Sequence, residues 1–237
     1  MAKRKPIFGI IITYALVLVA MLFIAIWGSR GVTVFTETAP IQNRRIIIID
    51  AGHGYPDGGT TSCTGVLECT INLEIAQRLD DLSHLLGMET LMVRNSPESV
   101  FTDGNTIGAK KISDLKYRVN LINKTENAVL VSIHQNYFQD SKYSGAQVFY
   151  RESDQSKGLA NLLQKSFSES LNPGSNRQVK KASGIYLMEH VDCTAVLVEC
   201  GFLSNPEEEF LLRSKDYQKK ICCVLASTLS LYRADSD

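Results

Sequence analysis

Arg45-Ile46-Ile47-Ile48-Ile49-Asp50-Ala51-Gly52-His53-Gly54 is the stretch on which the fold turns. Isoleucine is branched at Cβ and stiff at χ1, so four in a row favour extended backbone. They do not alternate with polar residues, which marks a strand covered on both faces, as in parallel sheets flanked by helices. The run ends at Asp50, and the chain passes through Gly52-His53-Gly54 into Pro56-Asp57-Gly58-Gly59. A histidine is thus delivered at the carboxyl end of a strand, inside a glycine-rich loop where backbone can pass close to a bound group.

Working outward, comparable runs occupy residues 89–93, 128–133, 146–150 and 195–198, with a weaker one at 185–188. Between them the apolar spacing turns helical. Ile71, Ile75, Leu79, Leu82 and Leu86 form one stripe, and Gly87 is placed to end it. Further helices are expected over 115–124, 158–171 and 217–232. Strands alternating with helices predict an α/β fold, an open, mostly parallel or mixed twisted sheet of about six strands with helices on both faces. Ligands of such sheets bind at the carboxyl ends of the strands.

Upstream, Ile7 to Trp27 is a run of 21 residues without a charge. At about 1.5 Å per residue it is long enough to cross a hydrocarbon core of roughly 30 Å. Lys3, Arg4 and Lys5 would hold the tip in the cytoplasm and send everything after Arg30 outside. The segment reads as a transmembrane anchor or a signal, and the bulky Trp27, where a cleavage site wants small side chains, favours the anchor. The expected organisation is a basic tip and anchor or signal over 1–30, a tether over 31–44 and a catalytic domain over 45–237.

The chain has 237 residues, 44% apolar and 21% charged, a composition of folded globular proteins. Its 25 basic and 25 acidic side chains cancel, so no general basic surplus announces nucleic-acid binding. Six cysteines include no C-x-x-C pair, which argues against a structural zinc ribbon. Cys222-Cys223 reads as small apolar residues in a helix, and pairing among Cys63, Cys69, Cys193 and Cys200 stays open.

The chemistry gathers at strand ends. Beside His53, the run 128–133 is followed at once by His134-Gln135-Asn136, and the run 195–198 by Glu199-Cys200-Gly201. Three strands therefore point His, His and Glu to one rim. A buried, hydrogen-bonded imidazole is the ordinary reading of each histidine alone. Two neutral imidazoles and a carboxylate, however, are the three-ligand set of a catalytic Zn²⁺ with a fourth position open. Glu68, at the start of the first helix, is the candidate third ligand, with Asp57 and Glu74 behind it; spacing leaves Glu199 free to be a ligand instead. His84 and His190 have no such setting. A phosphate-cradling reading of the glycine loop fails, because neither G-x-G-x-x-G nor the P-loop lysine is present.

Asp50-Ala51-Gly52-His53-Gly54, Gly65-Val66-Leu67-Glu68, Ser132-Ile133-His134-Gln135-Asn136 and Leu197-Val198-Glu199-Cys200-Gly201-Phe202-Leu203-Ser204-Asn205, in that order, resemble the zinc-dependent N-acetylmuramoyl-L-alanine amidases of the Amidase_3 family. Gly145 to Tyr150 and Asn205-Pro206-Glu207-Glu208 are most similar to its spore-cortex members. The resemblance implies that His53, Glu68 and His134 bind zinc and that Glu199 is the catalytic acid and base. It implies peptidoglycan as substrate, stem-peptide removal for muramic-lactam formation in spore cortex, a place at the forespore envelope, and a sporulation lipoprotein or membrane partner. Two departures are visible: Tyr55 stands where a Gly commonly follows the His-Gly pair, and Thr194 where a Pro is common. Asn136 and Arg177 are candidates for holding substrate amide and carboxylate groups, since Arg offers a planar fork of donors. Lys180-Lys181 reads as a solvated pair. Another zinc peptidase acting on the stem peptide, or a non-catalytic wall-binding protein on the same fold, are the alternatives.

Overall fold

The computed structural model describes residues 45–234, together with 17 and 18. The apolar run 7–27 and the tether lie otherwise outside the described residues. Among those described, no helix is long and apolar enough to cross a membrane.

Six strands form one sheet: β1 (Ile46–Ala51), β2 (Glu89–Met92), β3 (Ala128–Asn136), β4 (Gln147–Tyr150), β5 (Lys180–Lys181) and β6 (Thr194–Phe202). Their order is β2-β1-β3-β6-β4-β5. β2, β1, β3 and β6 run parallel, β4 lies antiparallel on β6, and β5 runs parallel to β4. The carboxyl ends of β1, β3 and β6 therefore share one rim, with His134 opposite Glu199 in register.

Among residues 45–234, six helices cover the sheet: α1 (Glu68–Leu85), α2 (Ile107–Asn123), α3 (Asp154–Ser170), α4 (Tyr186–His190), α5 (Pro206–Leu212) and α6 (Lys215–Ala234). Ile47, Ile49, Val131 and Val198 belong to a core shared with Ile75 of α1, Leu163 of α3 and Leu225 of α6. Their alternates Ile48, Leu130 and Leu197 pack with Ile122 of α2 and with Leu187 and Met188 of α4. Side chains alternate along a strand, so Asp50, Ser132, His134 and Glu199 share the α2/α4 face. The first turns are fixed by caps. Thr106 accepts from the Ala109 N–H (3.1 Å) at the start of α2, and Asn205 accepts from the Glu207 and Glu208 N–H groups, with Pro206 in the first turn of α5.

Two expectations shift. Residues 185–188 form helix rather than strand: Leu187 and Met188 are adjacent and both buried, which a pleated strand cannot do on one face, and Gly184 turns the chain at φ 76°. The sixth strand is instead Lys180–Lys181, an exposed two-residue edge whose charges discourage pairing with another chain. All six cysteines are free, Cys222 buried and Cys223 exposed.

Candidate metal centre

Glu68 opens α1 from the face opposite α2, and its carboxylate reaches over the rim to both histidines. Its Oε1 lies 3.0 Å from His134 Nδ1 and its Oε2 lies 3.4 Å from His53 Nε2. The two imidazoles meet edge to face with centroids 5.0 Å apart. One ligand atom from each of the three residues can be chosen so that all lie within 4.8 Å of one another. Thr60 N–H donates to Oε2 (3.0 Å), while Asn72 Nδ2 (3.1 Å) and Gln135 N–H (3.2 Å) donate to Oε1. Burial alone would raise this carboxyl, but His134, His53 and the Thr60 N–H together bring it down to about 2.

Glycines make the approach possible. A Cβ on Gly52 would stand 2.2 Å from His134 Nε2, and one on Gly59, at φ 70°, would stand 2.6 Å from Glu68 Oε2 and 2.7 Å from His53 Cδ2. His53 itself adopts a positive φ of 60°. Its backbone is held by two buried guanidinium groups. Arg118 donates to the carbonyls of His53 (2.7 Å) and Ala51 (3.0 Å), and Arg94 to those of Ala51 (2.8 Å) and Gly52 (3.1 Å). Arg118 is in turn paired with Asp50 and with Asp114 (2.7 Å), and Ser132 Oγ donates to Asp50 (2.5 Å). On the ring side, Asp57 Oδ2 lies 3.0 Å from His53 Nδ1 and 3.0 Å from Lys111 Nζ. His53 and Lys111 hold the Asp57 carboxyl well below the usual range.

This arrangement fits a cation. In the tautomer that places the ring proton on Nδ1 beside Asp57, the Nε2 lone pair of His53 faces the Glu68 carboxylate, so two acceptors would meet with no proton between them. A cation held by these residues would relieve that conflict, and His₂Glu is a donor set of catalytic zinc sites. The carboxylate behind a ligand imidazole is the usual outer partner that fixes its tautomer.

Glu199 faces the same cavity, of about 360 Å³, with Tyr186 and Leu197 on its α4 side. Its Oε2 is sealed from solvent and has no hydrogen-bond partner among the described residues. Burial and the negative Glu68 push its carboxyl up, and the charge of His134 only partly offsets them, leaving it at about 7.

Of the expected site residues, His53, Glu68, His134 and Glu199 come together around one cavity or its wall. Asn136 ends β3 with Oδ1 accepting from the Tyr137 N–H (2.8 Å), and Arg177 lines a neighbouring groove. Asp57 stands behind His53, and Glu74 accepts from Gln218 Nε2 (2.7 Å) at the α1–α6 packing surface. His84 and His190 are exposed. Tyr55 is exposed and pairs its backbone with residues 97 and 99. Sequence reasoning overlooked Lys111, Asp114 and Arg118. Their signal was present: they continue toward the amino end the helical stripe of buried Ile122, where apolar residues belong.

An α/β sheet that brings a His₂Glu cluster able to hold a metal ion and a separate half-buried carboxyl to one rim has the groups of a hydrolase. More narrowly, the chain belongs to the N-acetylmuramoyl-L-alanine amidase family Amidase_3, whose model matches residues 47–229. It is 37% identical over 179 residues to the germination-specific N-acetylmuramoyl-L-alanine amidase of Bacillus subtilis, covering 75% of each chain. The CwlD amidase of Clostridioides difficile, solved in complex with the GerS lipoprotein, superposes with a TM-score of 0.78 at 35% identity, over 82% of this chain and 100% of that one. A further N-acetylmuramoyl-L-alanine amidase from Clostridium difficile 630 gives 0.70 at 28% identity, over 82% and 99%. The chain is thus a cell-wall amidase, acting on peptidoglycan outside the cytoplasm.

Proposed function

We propose that His53, Glu68 and His134 bind zinc and that Glu199 is the acid and base for hydrolysis of the amide between N-acetylmuramic acid and L-alanine. The observation that carries the reading is the contrast at one rim: a His₂Glu cluster with its carboxylate held ionised, and beside it the half-buried Glu199 with a buried oxygen that has no partner among the described residues. When bound, zinc supplies Lewis acidity, polarising a carbonyl and lowering the pKa of water from about 15.7 toward about 7.

The rest is work for the chain's own groups. The amide has a poor leaving group, and its nitrogen must be protonated as the C–N bond breaks. Glu199 Oε2, with no competing donor, takes the proton of the attacking water and returns it to that nitrogen. A carboxyl near 7 is poised for both halves of the exchange at neutral pH. Leu197 and Tyr186 form a less polar wall that limits water around it. Asn136, whose side-chain nitrogen donates to no described residue, holds a substrate amide, and Arg177 a carboxylate.

Similarity to the germination-specific enzyme and to CwlD supports a role in spore cortex, where stem-peptide removal prepares muramic acid for lactam formation. On this reading residues 45–237 are a catalytic domain at the forespore envelope, carried by the amino-terminal anchor or signal through the 31–44 tether. The lipoprotein bound to CwlD supports a partner of that kind. The direct test is digestion of purified peptidoglycan while newly freed L-alanine amino groups and zinc per chain are measured. About one zinc with release of whole stem peptides is expected; cleavage within the stem would replace the reading.

A further inference from the structure

A second groove, of about 810 Å³, lies between the β3–β4 loop and the segment after α3. Among the described residues three cations line it, Lys142, Arg177 and Lys180, and no carboxylate does. The groove starts close to Glu199. Gln147 lines it and stands directly opposite Glu199 in the β4–β6 ladder, where paired Cα atoms are about 5 Å apart. Arg177, Gln178 and Lys180 line this groove, and the same segment continues to 184–187, which wall the cavity of Glu199.

Arg177 is held rather than solvated. Its guanidinium lies over the Phe202 ring at 4.7 Å, Nε donates to the Ser144 carbonyl (2.8 Å), and Nη1 approaches Gln147 Oε1 (3.4 Å). Glu208, the acid whose charge bears on it, has its two oxygens taken by the Gly145 and Phe202 N–H groups, each at 2.8 Å. Neither Arg177 nor Lys180 forms an ion pair among the described residues, whereas Lys181 pairs with Glu152 (2.6 Å) and Lys142 with Asp140 (2.7 Å). A fixed guanidinium with no ion-pair partner among the described residues, beside the Gln147 that stands opposite Glu199, is suited to receive a carboxylate.

We propose that this groove is the subsite for carboxylates of the peptide being released, with Arg177 as the bidentate anchor and Lys180 as the second cation. The inference rests on the amidase reading and names what that site selects: acidic muramoyl peptides over their amidated counterparts. An extended peptide advances about 3.3 Å per residue, so a peptide leading from Glu199 into this groove carries its next carboxylates past Gln147 toward Arg177.

The test uses the full chain loaded with zinc and two synthetic muramoyl peptides that differ only in whether the α-carboxylate of the residue after L-alanine is free or amidated. The wild-type chain should favour the free acid by roughly tenfold to a hundredfold in kcat/KM, the range of a charge-assisted hydrogen-bonded contact. Arg177→Ala with Lys180→Ala should bring that ratio close to one at unchanged zinc content, Arg177→Lys should keep part of it, and Lys181→Ala should keep it all. Equal cleavage of both peptides by the wild type, or an unchanged ratio in the double variant, overturns the subsite. If the wild type cleaves neither, the amidase reading is what fails. Calorimetric titration of the free acidic peptide then decides the groove: binding lost in the double variant supports it, and equal binding in both chains overturns it.

Discussion

Glu68 and Glu199 stand at the same rim of the same sheet, and the chain treats them in opposite ways. Glu68 begins a helix and is surrounded by donors: Thr60 N–H, Asn72 Nδ2, Gln135 N–H and an imidazole. Glu199 ends the apolar run of β6 and presents an oxygen with no partner among the described residues. One carboxyl is brought down to about 2 and the other is pushed up to about 7. Environments that drive two like groups apart assign them different tasks. A carboxyl kept ionised suits a cation; one kept near neutrality suits a proton that must come and go.

The sharpest way to break this contrast is to neutralise each carboxyl in turn. Glu199→Gln should lower kcat by roughly 10² to 10⁴, as loss of a positioned acid-base group does, while zinc per chain stays at the wild-type level. Glu68→Gln should lose zinc and activity together. Zinc loss in the first variant, or full zinc in the second, would exchange the two assignments. Elemental analysis beside kinetics reads both.

A comparable effect, on stability instead of rate, is expected beneath the rim. Arg118 is buried with two carboxylates, and Arg118→Met would leave Asp50 and Asp114 without their partner. Breaking a buried ion pair from one side costs about 3–5 kcal/mol. Urea unfolding of the metal-free chain should show a loss of that size; a loss below about 1 kcal/mol would mean that the network adds little to holding the His53 loop.

Asp57→Asn sharpens the Glu68 side alone. It keeps the shape but removes the charge behind His53 and the anion that Lys111 faces. Outer partners of this kind are worth roughly 10- to 100-fold in metal affinity. Competition with a chelator should show zinc binding weakened by that factor, with kcat at saturating zinc much less affected. Unchanged affinity would detach Asp57 from the metal site.

How far the rim was legible differs residue by residue. His53, His134 and Glu199 were visible because each follows an apolar strand, and strand ends are set by local pattern. Position in the chain ranked Glu68 ahead of Asp57 and Glu74 but left Glu199 open as a ligand, and only the family resemblance separated the two; where Asp57 and Glu74 lie depends on how a loop and a helix fold back, which spacing does not encode. Residues 185–188 were misread because four apolar positions fit either period, and Lys180–Lys181 was passed over because a two-residue edge strand carries no apolar signal. Arg118 and Asp114 occupy a helix stripe where charge looks out of place, and what they hold, the carbonyls of a positive-φ loop, appears only in three dimensions.

The smallest expected effect tests the contrast through pH. For Glu68 the folded value lies below the ordinary 4.5, so its contribution to stability is present above that value and fades as pH falls toward about 2. For Glu199 the folded value lies above 4.5, so the protonated form is the one the fold favours; its contribution is full below 4.5 and is lost as pH rises through about 7. In chain stripped of metal, Glu199→Gln replaces a carboxyl that must ionise in the fold with a group that never does. The variant should therefore gain stability over the wild type between pH 4.5 and 8, by about 1–3 kcal/mol at the upper end, and gain little at pH 4. Urea denaturation at the two pH values reads the difference. A gain that is the same at both would place the cause in packing, and a gain confined to pH 4 would reverse the sign of the shift, leaving Glu199 no more suited to proton transfer than Glu68.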